Sequence, residues 1–264
     1  MNEKNPTNTI PPIKRARGCY LYDYKGRRCL DLYRQNGAAL LGHRPPNLTR
    51  VLKQVMSKGL IADLPSIYEK RLFKAVRQLL PAYKDMRVVT CGHRALELVS
   101  LYLGGKGHDH TSLTAGDVLH WRPFMPPAEV SDARVLIPVL PFAVGGCPVV
   151  VCFRDALPAD FPVSDPVSAL LLAGLTRACY DLLQHRMPDW YTDRLLAGAP
   201  GWEQQGPYIT ARFAAERYPD VFREFLRQGF LLSPTYPGPS VLPWEISPGE
   251  LQKMCKLFTL VPGE

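Results

Sequence analysis

The sequence predicts a mixed α/β protein, and three kinds of segment support that prediction. A short apolar run, Met86 to Thr90, turns at Cys91-Gly92 into a segment with helical spacing of apolar residues, which is the strand, turn and helix of an α/β unit. Apolar stripes predict two amphipathic helices, one over 48–60 and one starting at Pro65. Residues 18–32 hold two β-prone runs around a Lys-Gly turn, which predicts a hairpin.

The C-terminal half predicts further elements in the same mixed order. Ser164-Asp165-Pro166 is typical of a helix start, and a helix is predicted near 219–228. Ser247-Pro248-Gly249-Glu250 has the spacing of a capping box, which predicts a last helix. Residues 140–154 are predicted as two buried extended runs hinged at Gly145-Gly146, because a glycine pair permits positive φ.

Composition restricts the class of protein. The 264 residues suffice for a large and a small domain, and no apolar stretch approaches the length of a membrane span. The polar N-terminus predicts neither a signal peptide nor an anchor, so we expect a cytoplasmic protein with no membrane partner. Seven cysteines without a C-x-x-C predict reduced core residues. The net charge of +8 is spread along the chain, which disfavours a nucleic-acid partner.

Residues 15–54, RARGCYLYDYKGRRCLDLYRQNGAALLGHRPPNLTRVLKQ, resemble the N-terminal region of class III aminotransferases, which depend on pyridoxal phosphate (PLP), and most of all glutamate-1-semialdehyde aminomutases. Residues 87–103 resemble the strand, SGTEA turn and helix of that family, and residues 222–253 resemble its C-terminal domain. The shared elements of the first stretch are Gly18, Asp23, Gly26, Asp31-Leu32, Gly42-His43 and Pro46.

The resemblance implies a PLP-dependent transferase fold of fold type I (an α/β fold) that is reduced in size. It implies a shortened large α/β domain over residues 46–185 with a mostly parallel sheet, and a small α+β domain formed by residues 1–45 and 186–264. Members of the family are usually dimers with active sites at the subunit interface, so a homodimer is expected. Their chemistry needs a lysine that forms an imine with PLP, an aspartate against the pyridine nitrogen, and a phosphate cradle.

The catalytic lysine of the family has no counterpart in this alignment. In the family, a glycine-rich segment of the type LGK-x-x-GGG-x-P follows directly on the lysine. Placing Pro148 on the proline of that motif puts Gly145-Gly146 on its glycines and Pro141 at the lysine position. Proline has no amine, so no catalytic residue is assigned. Only residues 104–140 separate the predicted helix from Pro141, and no counterpart of the aspartate strand is recognisable there.

The turn Cys91-Gly92-His93-Arg94 lies where the family binds the cofactor phosphate. The N–H groups of a helix N-terminus favour an anion, and Arg94 adds positive charge, so a small anionic ligand is a candidate. The alternative is a strand-to-helix turn in which Gly92 only permits the geometry and Arg94 is solvated.

Four other motifs have structural explanations beside a functional one. Gly104-Gly105-Lys106-Gly107 is typical of a helix C-cap, although Lys106 is the candidate for a substitute amine. His108-Asp109-His110, with His120, has no zinc spacing and predicts an exposed loop. His43 predicts a structural hydrogen bond. Trp121-Arg122-Pro123-Phe124 is either a patch for a ligand or second subunit, or a loop with its aromatic side chains in the core.

Three functional hypotheses follow from these observations. The first is a degenerate class III aminotransferase homologue without transaminase activity, possessing at most a weak phosphate or ligand site and no covalently bound PLP. The second is an active PLP-dependent aminotransferase that uses a displaced lysine. The third is a non-catalytic binding or assembly protein that acts through its dimer surface, including pairing with a full-length relative.

Overall fold

A computed structural model describes residues 6–104, 117–125, 133–188, 191 and 195–263. Its six α-helices within those residues are α1 Pro46–Met56, α2 Ile67–Leu79, α3 Gly92–Tyr102, α4 Ala169–Gln184, α5 Tyr218–Arg227 and α6 Pro248–Thr259. The strands are β1 Ile13–Arg17, β2 Tyr20–Asp23, β3 Arg28–Asp31, β4 Asp85–Val89, β5 Val118–Trp121, β6 Val135–Pro138, β7 Val149–Phe153, β8 Trp202–Gln205, β9 Tyr208–Ala211, β10 Phe230–Leu231 and β11 Ser240–Val241.

The chain divides into two compact units. Unit 1 comprises Met1–Pro45 and Arg186–Glu264, and unit 2 comprises Pro46–His185. Within the described residues, no helix has both the length and the apolarity that a membrane span requires. The identification of the two units with the small and large domains of the family, and the cytoplasmic location, stay predictions.

Unit 2 is built on a four-stranded sheet with the order β4-β7-β6-β5. Only β5 and β6 are parallel, whereas β7 is antiparallel to both β4 and β6. The expectation of a mostly parallel sheet is therefore wrong for the described strands. Residues 139–148 connect β6 to its neighbour β7, and this connection is too short for a parallel pair. Two parallel neighbouring strands need a crossover of a dozen or more residues.

The glycine-hinged segment also differs from the prediction of two extended runs. Only its second half is a strand, β7, while residues 139–148 are irregular and the preceding strand β6 ends at Pro138. Gly146 has φ +69°, so the predicted positive φ at the glycine pair is present. The extended run before the hinge thus lies earlier in the chain than the sequence predicts.

Helices α1, α2 and α4 pack together on the apolar core of unit 2. Two of them begin later than predicted. Ser66 is extended, with φ −143° and ψ 159°, so α2 starts after it and Pro65 lies outside the helix. The side chain of Ser168, rather than Ser164, accepts a hydrogen bond from the Leu170 N–H and caps α4.

Unit 1 contains the predicted hairpin of β2 and β3, which are antiparallel. Gly26 has φ +80°, and the Asp23 carboxylate accepts hydrogen bonds from the backbone N–H groups of Lys25 at 2.9 Å and Arg27 at 2.8 Å. The sheet has the order β1-β2-β3-β10, and a second sheet has the order β11-β9-β8. The hairpin therefore carries both its turn glycine and the carboxylate that fixes the turn.

The C-terminal helix of unit 1 confirms the predicted start at Ser247 and the Ser247 half of the capping box, while Glu250 reaches the Ser247 hydroxyl instead of its backbone N–H. The Ser247 side chain accepts a hydrogen bond from the Glu250 N–H at 3.3 Å, and the Glu250 carboxylate accepts one from the Ser247 hydroxyl at 2.7 Å. Helix α6 buries Phe258 against Trp202, with the ring centroids 4.9 Å apart in a T-shaped contact. Local capping and aromatic packing together fix this helix.

Candidate functional site

The carboxyl ends of three strands of unit 2 lie along one edge of its sheet. Strand β6 is parallel to β5, and β4 has the same direction as β6 because both are antiparallel to the strand β7 between them. The turn at 91–94, Trp121 and the segment from Pro138 therefore share this edge, which we call the carboxyl edge. In open α/β sheets, ligands bind at that edge.

The turn from Cys91 to Arg94 is open to solvent. Cys91 precedes α3 in an extended conformation without a side-chain cap, and Cys91, Gly92 and His93 are exposed. A Cβ atom added to Gly92 would meet no atom within 4 Å. The structure thus confirms the predicted strand, turn and helix, and it leaves room for a small molecule above the turn.

Two carboxylates already contact the positive charge of this turn. Arg94 Nη1 lies 2.8 Å from Glu97 Oε2, and Arg94 Nε lies 3.4 Å from Asp165 Oδ1. His93 Nε2 lies 3.3 Å from the other oxygen of Glu97. Hydrogen bonding to Glu97 first, and then to Asp165, raises the pKa of the Arg94 guanidinium. An incoming anion would compete with both acids.

Asp165 belongs to this site, although the sequence around it is typical of a helix start. Its Oδ2 accepts hydrogen bonds from the Thr90 N–H at 3.0 Å and the Thr90 hydroxyl at 3.1 Å. Its own N–H donates to the carbonyl of Val88. A contact across so many residues leaves no local signal in the sequence, so sequence reasoning missed this role.

Pro141 and Phe142 belong to the core of unit 2. The Phe142 N–H donates to the Leu140 carbonyl at 2.8 Å, which closes a γ-turn with Pro141 at its centre. Pro141 is buried and Phe142 is 2% exposed. A Cβ atom added to Gly174 of α4 would lie 2.4 Å from Phe142 Cζ, so the ring sits directly on the helix backbone.

No residue of the carboxyl edge within the described chain carries a primary amine. Its segments, 89–94, 121–125 and 138–149, contain no lysine. The described lysines of unit 2 are exposed; Lys84, just before β4, lies at the opposite edge, and the others lie on or beside α1 and α2: Lys53, Lys58, Lys70 and Lys74. Lys106, with Gly105, Gly107 and His108-Asp109-His110, lies outside the described residues.

The remaining predicted motifs take structural roles where they are described. Gly104 follows α3 with φ +88°, as expected of a C-cap. Trp121 packs against the core, and the Phe124 ring lies 5.8 Å from that of His185. His120 is exposed, and the described residues contain no group of three or more potential metal ligands.

A buried polar cluster lies in unit 1, around the glycine-histidine turn of the resemblance. His43 Nε2 lies 2.6 Å from Asp31 Oδ2, which confirms its predicted structural hydrogen bond. Sequence reasoning missed Arg34, which is fully buried and donates to the carbonyls of Asp31 at 3.2 Å and Leu40 at 2.8 Å. Arg34, Gln35 and Asn36 all have positive φ, between 41° and 55°.

Comparisons with known proteins agree with this fold and with the N-terminal resemblance. Residues 1–99 match the family model Aminotransferase class-III. An uncharacterized protein of Borreliella burgdorferi is 28% identical over 255 residues, which cover 95% of this chain and 91% of that protein. The glutamate-1-semialdehyde 2,1-aminomutase of Heliobacterium modesticaldum is 34% identical over 83 residues, which cover 31% of this chain and 19% of the enzyme. That enzyme is therefore the longer protein.

Solved structures share the fold at low sequence identity. A β-phenylalanine aminotransferase from Variovorax paradoxus has a TM-score of 0.67 at 14% identity, over 98% of this chain and 89% of that chain. An ornithine δ-aminotransferase from Plasmodium falciparum has a TM-score of 0.66 at 10% identity, over 96% and 94%. The fold is that of PLP-dependent aminotransferases of fold type I, in a shortened chain.

Proposed function

We propose that this class III aminotransferase-like chain does not transaminate and does not hold PLP covalently. The proposal depends on Pro141, which our alignment places at the lysine position of the family and which is buried between Leu140 and Phe142 of the apolar core. Imine formation requires a primary amine, and the carboxyl edge supplies none among the described residues. The described residues of the carboxyl edge therefore do not fit a covalently bound cofactor.

We propose further that the turn Cys91-Gly92-His93-Arg94 binds small anions weakly. Exposure of the turn and the N-terminus of α3 support binding. The contacts of Arg94 with Glu97 and Asp165 limit its strength, because an anion must displace or tolerate two carboxylates. The residues of this turn can therefore support non-covalent binding of a phosphate compound, which is one part of how the family holds its cofactor.

The test of the first proposal is incubation with stoichiometric PLP, followed by absorbance spectroscopy, borohydride reduction and intact-mass analysis. An active class III aminotransferase treated in parallel is the positive control. We expect no imine absorbance and no mass increase in this protein, because the alignment places Pro141 where the amine would stand. A reduced adduct on a single lysine would overturn the proposal. If the colour also disappears in Lys106→Ala, the displaced-lysine hypothesis is correct instead.

Anion binding at this turn is measured by the rate at which a thiol reagent labels Cys91, the one exposed thiol among the seven free cysteines. We expect inorganic phosphate to slow labelling of Cys91 by a thiol reagent only at about 10 mM and above. Sulfate at matched ionic strength tests the selectivity, and Cys91→Ser identifies the signal. Protection at micromolar phosphate, or none even at about 100 mM, would contradict weak binding at this turn.

The third hypothesis, assembly through a dimer surface, is favoured by an apolar patch on unit 2. Five large apolar side chains, each between 38% and 62% exposed, lie within residues 56–67: Met56, Leu60, Ile61, Leu64 and Ile67. Val163, which is 78% exposed, lines the same cavity of about 410 Å³ as Leu64. Exposed apolar patches of this kind mark interaction surfaces. We infer that this patch is the homodimer surface.

Sedimentation equilibrium checks the dimer directly. We expect twice the chain mass of 29.6 kDa, and a monomer for the double substitution Leu64→Arg with Ile67→Arg, because each arginine would place a charge in the apolar interface. Val144→Arg, an exposed apolar residue elsewhere in unit 2, is the matched control and should stay dimeric. A monomeric wild-type protein, or a dimeric double variant, would exclude this surface as the dimer interface.

A further inference from the structure

A groove in unit 1 is lined by none of the residues of the carboxyl edge. It has a volume of about 460 Å³, within the usual range of small-molecule pockets. Four parts of unit 1 form it: the N-terminal segment up to β1, the hairpin of β2 and β3, helix α5 with the glycine turn that follows it, and strand β10. The lining residues are Thr9, Ile10, Pro11, Ile13, Leu21, Asp23, Arg27, Arg28, Cys29, Arg223, Leu226, Arg227, Gly229 and Leu231.

The floor and walls of the groove are apolar. Leu21 of β2 and Leu231 of β10 are buried, and both belong to the core of the unit. Ile13 of β1 and Leu226 of α5 add apolar side chains that are not fully buried, and Ile13 is 41% exposed. An apolar chain placed here would cover surface that water now contacts, which is favourable in proportion to the area.

The rim of the groove is rich in arginine. Four arginines line it, against one acidic residue, Asp23. Each guanidinium contacts one carboxylate in the structure: Arg27 with Asp23, Arg28 with Glu250, Arg223 with Asp220, and Arg227 with Glu224. Three of those carboxylates lie outside the lining of the groove.

The four ion pairs do not prevent the arginines from receiving a ligand. The arginine side chains are between 50% and 71% exposed, and exposed ion pairs contribute about 0–1 kcal/mol each. A guanidinium has five donors in a planar fork, so one that binds a carboxylate through part of the fork can bind a second oxyanion through the rest. An anionic head group at the rim would therefore gain contacts at small cost.

We propose that this groove binds a small amphipathic anion, with its apolar chain on the floor and its anionic head group among the four arginines. The proposal rests on charge complementarity and on the apolar floor, and it is independent of any cofactor chemistry at the carboxyl edge. The head group is a carboxylate, as in a fatty acid, or a phosphate monoester, as in an alkyl phosphate. Both have oxyanions that match the guanidinium fork.

Isothermal titration calorimetry of the full chain tests the proposal, with dodecanoate and dodecyl phosphate below their critical micelle concentrations. We expect saturable binding of at least one, and none of dodecyltrimethylammonium, which has the same chain and the opposite charge. Binding of one anion alone identifies the head group. Absence of binding for both anions, or equal binding of the cation, would overturn the proposal.

Matched variants locate the binding in the groove. Arg223→Gln with Arg227→Gln, two exposed positions on α5, should weaken anion binding by about tenfold or more, because charge-assisted hydrogen bonds are lost. Arg212→Gln removes an equally exposed arginine that does not line the groove, and should bind as wild type. Ile13→Trp should also weaken binding by filling the groove. Equal affinities across all three variants would refute the assignment.

Discussion

Phe142→Ala should lower the free energy of unfolding by about 3–5 kcal/mol, the usual loss for a buried phenylalanine. The ring is 2% exposed and lies directly on the backbone of α4 at Gly174, so its removal opens a cavity beneath that helix. Urea denaturation followed by circular dichroism measures the change. Val144→Ala, on the same segment but 38% exposed, should change stability by about 0.5 kcal/mol or less.

The contact itself is tested by a double-mutant cycle with Gly174→Ala. In the wild-type background the new methyl would lie 2.4 Å from Phe142 Cζ, so the substitution should destabilise the protein despite the better helix propensity of alanine. In the Phe142→Ala background the same substitution should be neutral or stabilising. Additive effects, or a loss below about 1 kcal/mol for Phe142→Ala, would show that the ring is not packed as described.

Arg34→Leu should cost about 3–5 kcal/mol, because it removes one partner of a buried polar cluster and leaves the others in place. Without the guanidinium, the carbonyl of Asp31 loses the hydrogen bond from Arg34, and the carbonyl of Leu40 keeps only the one from the Trp244 indole. The buried Asp31 carboxylate also loses a neighbouring positive charge. Chemical denaturation at neutral pH is the measurement. Arg212→Leu, which breaks one exposed ion pair, is the control and should cost about 1 kcal/mol or less.

Arg34→Lys separates charge from geometry in the same cluster. A lysine keeps the positive charge but lacks the planar fork, so we expect it to recover only part of the stability lost in Arg34→Leu. Full recovery would mean that charge alone matters at this position. A loss for Arg34→Leu no larger than that for Arg212→Leu would contradict the buried role of the guanidinium.

Local signals in the sequence predicted much of the fold. The hairpin, the turn into α3 and the cap of α6 each depend on residues that are close together in sequence. Gly26 sets the turn of the hairpin, and Ser247 caps α6 three residues before Glu250. The buried hydrogen bond of His43 came from the resemblance and was confirmed. For these elements the sequence pattern predicts the folded structure correctly, because the contacts that determine them join residues close to one another in the sequence.

The rest depended on contacts between distant parts of the chain. Strand direction in unit 2 is set by how β7 returns between β4 and β6, and no periodicity encodes that pairing. Asp165 contacts Thr90 and Arg94 instead of capping a helix, which no local motif could indicate. The left-handed turn at Arg34 contains ordinary residues at positive φ, so only tertiary packing can hold it.

The packing of Phe142 on Gly174 also determines the surroundings that a lysine would meet at position 141. The substitution Pro141→Lys would place an ammonium group at a buried position that disfavours the charged form, next to a ring that lies on the backbone of α4. Because burial favours the neutral, nucleophilic amine, access past the packed ring of Phe142, rather than the charge of the lysine, would decide whether such a residue could react.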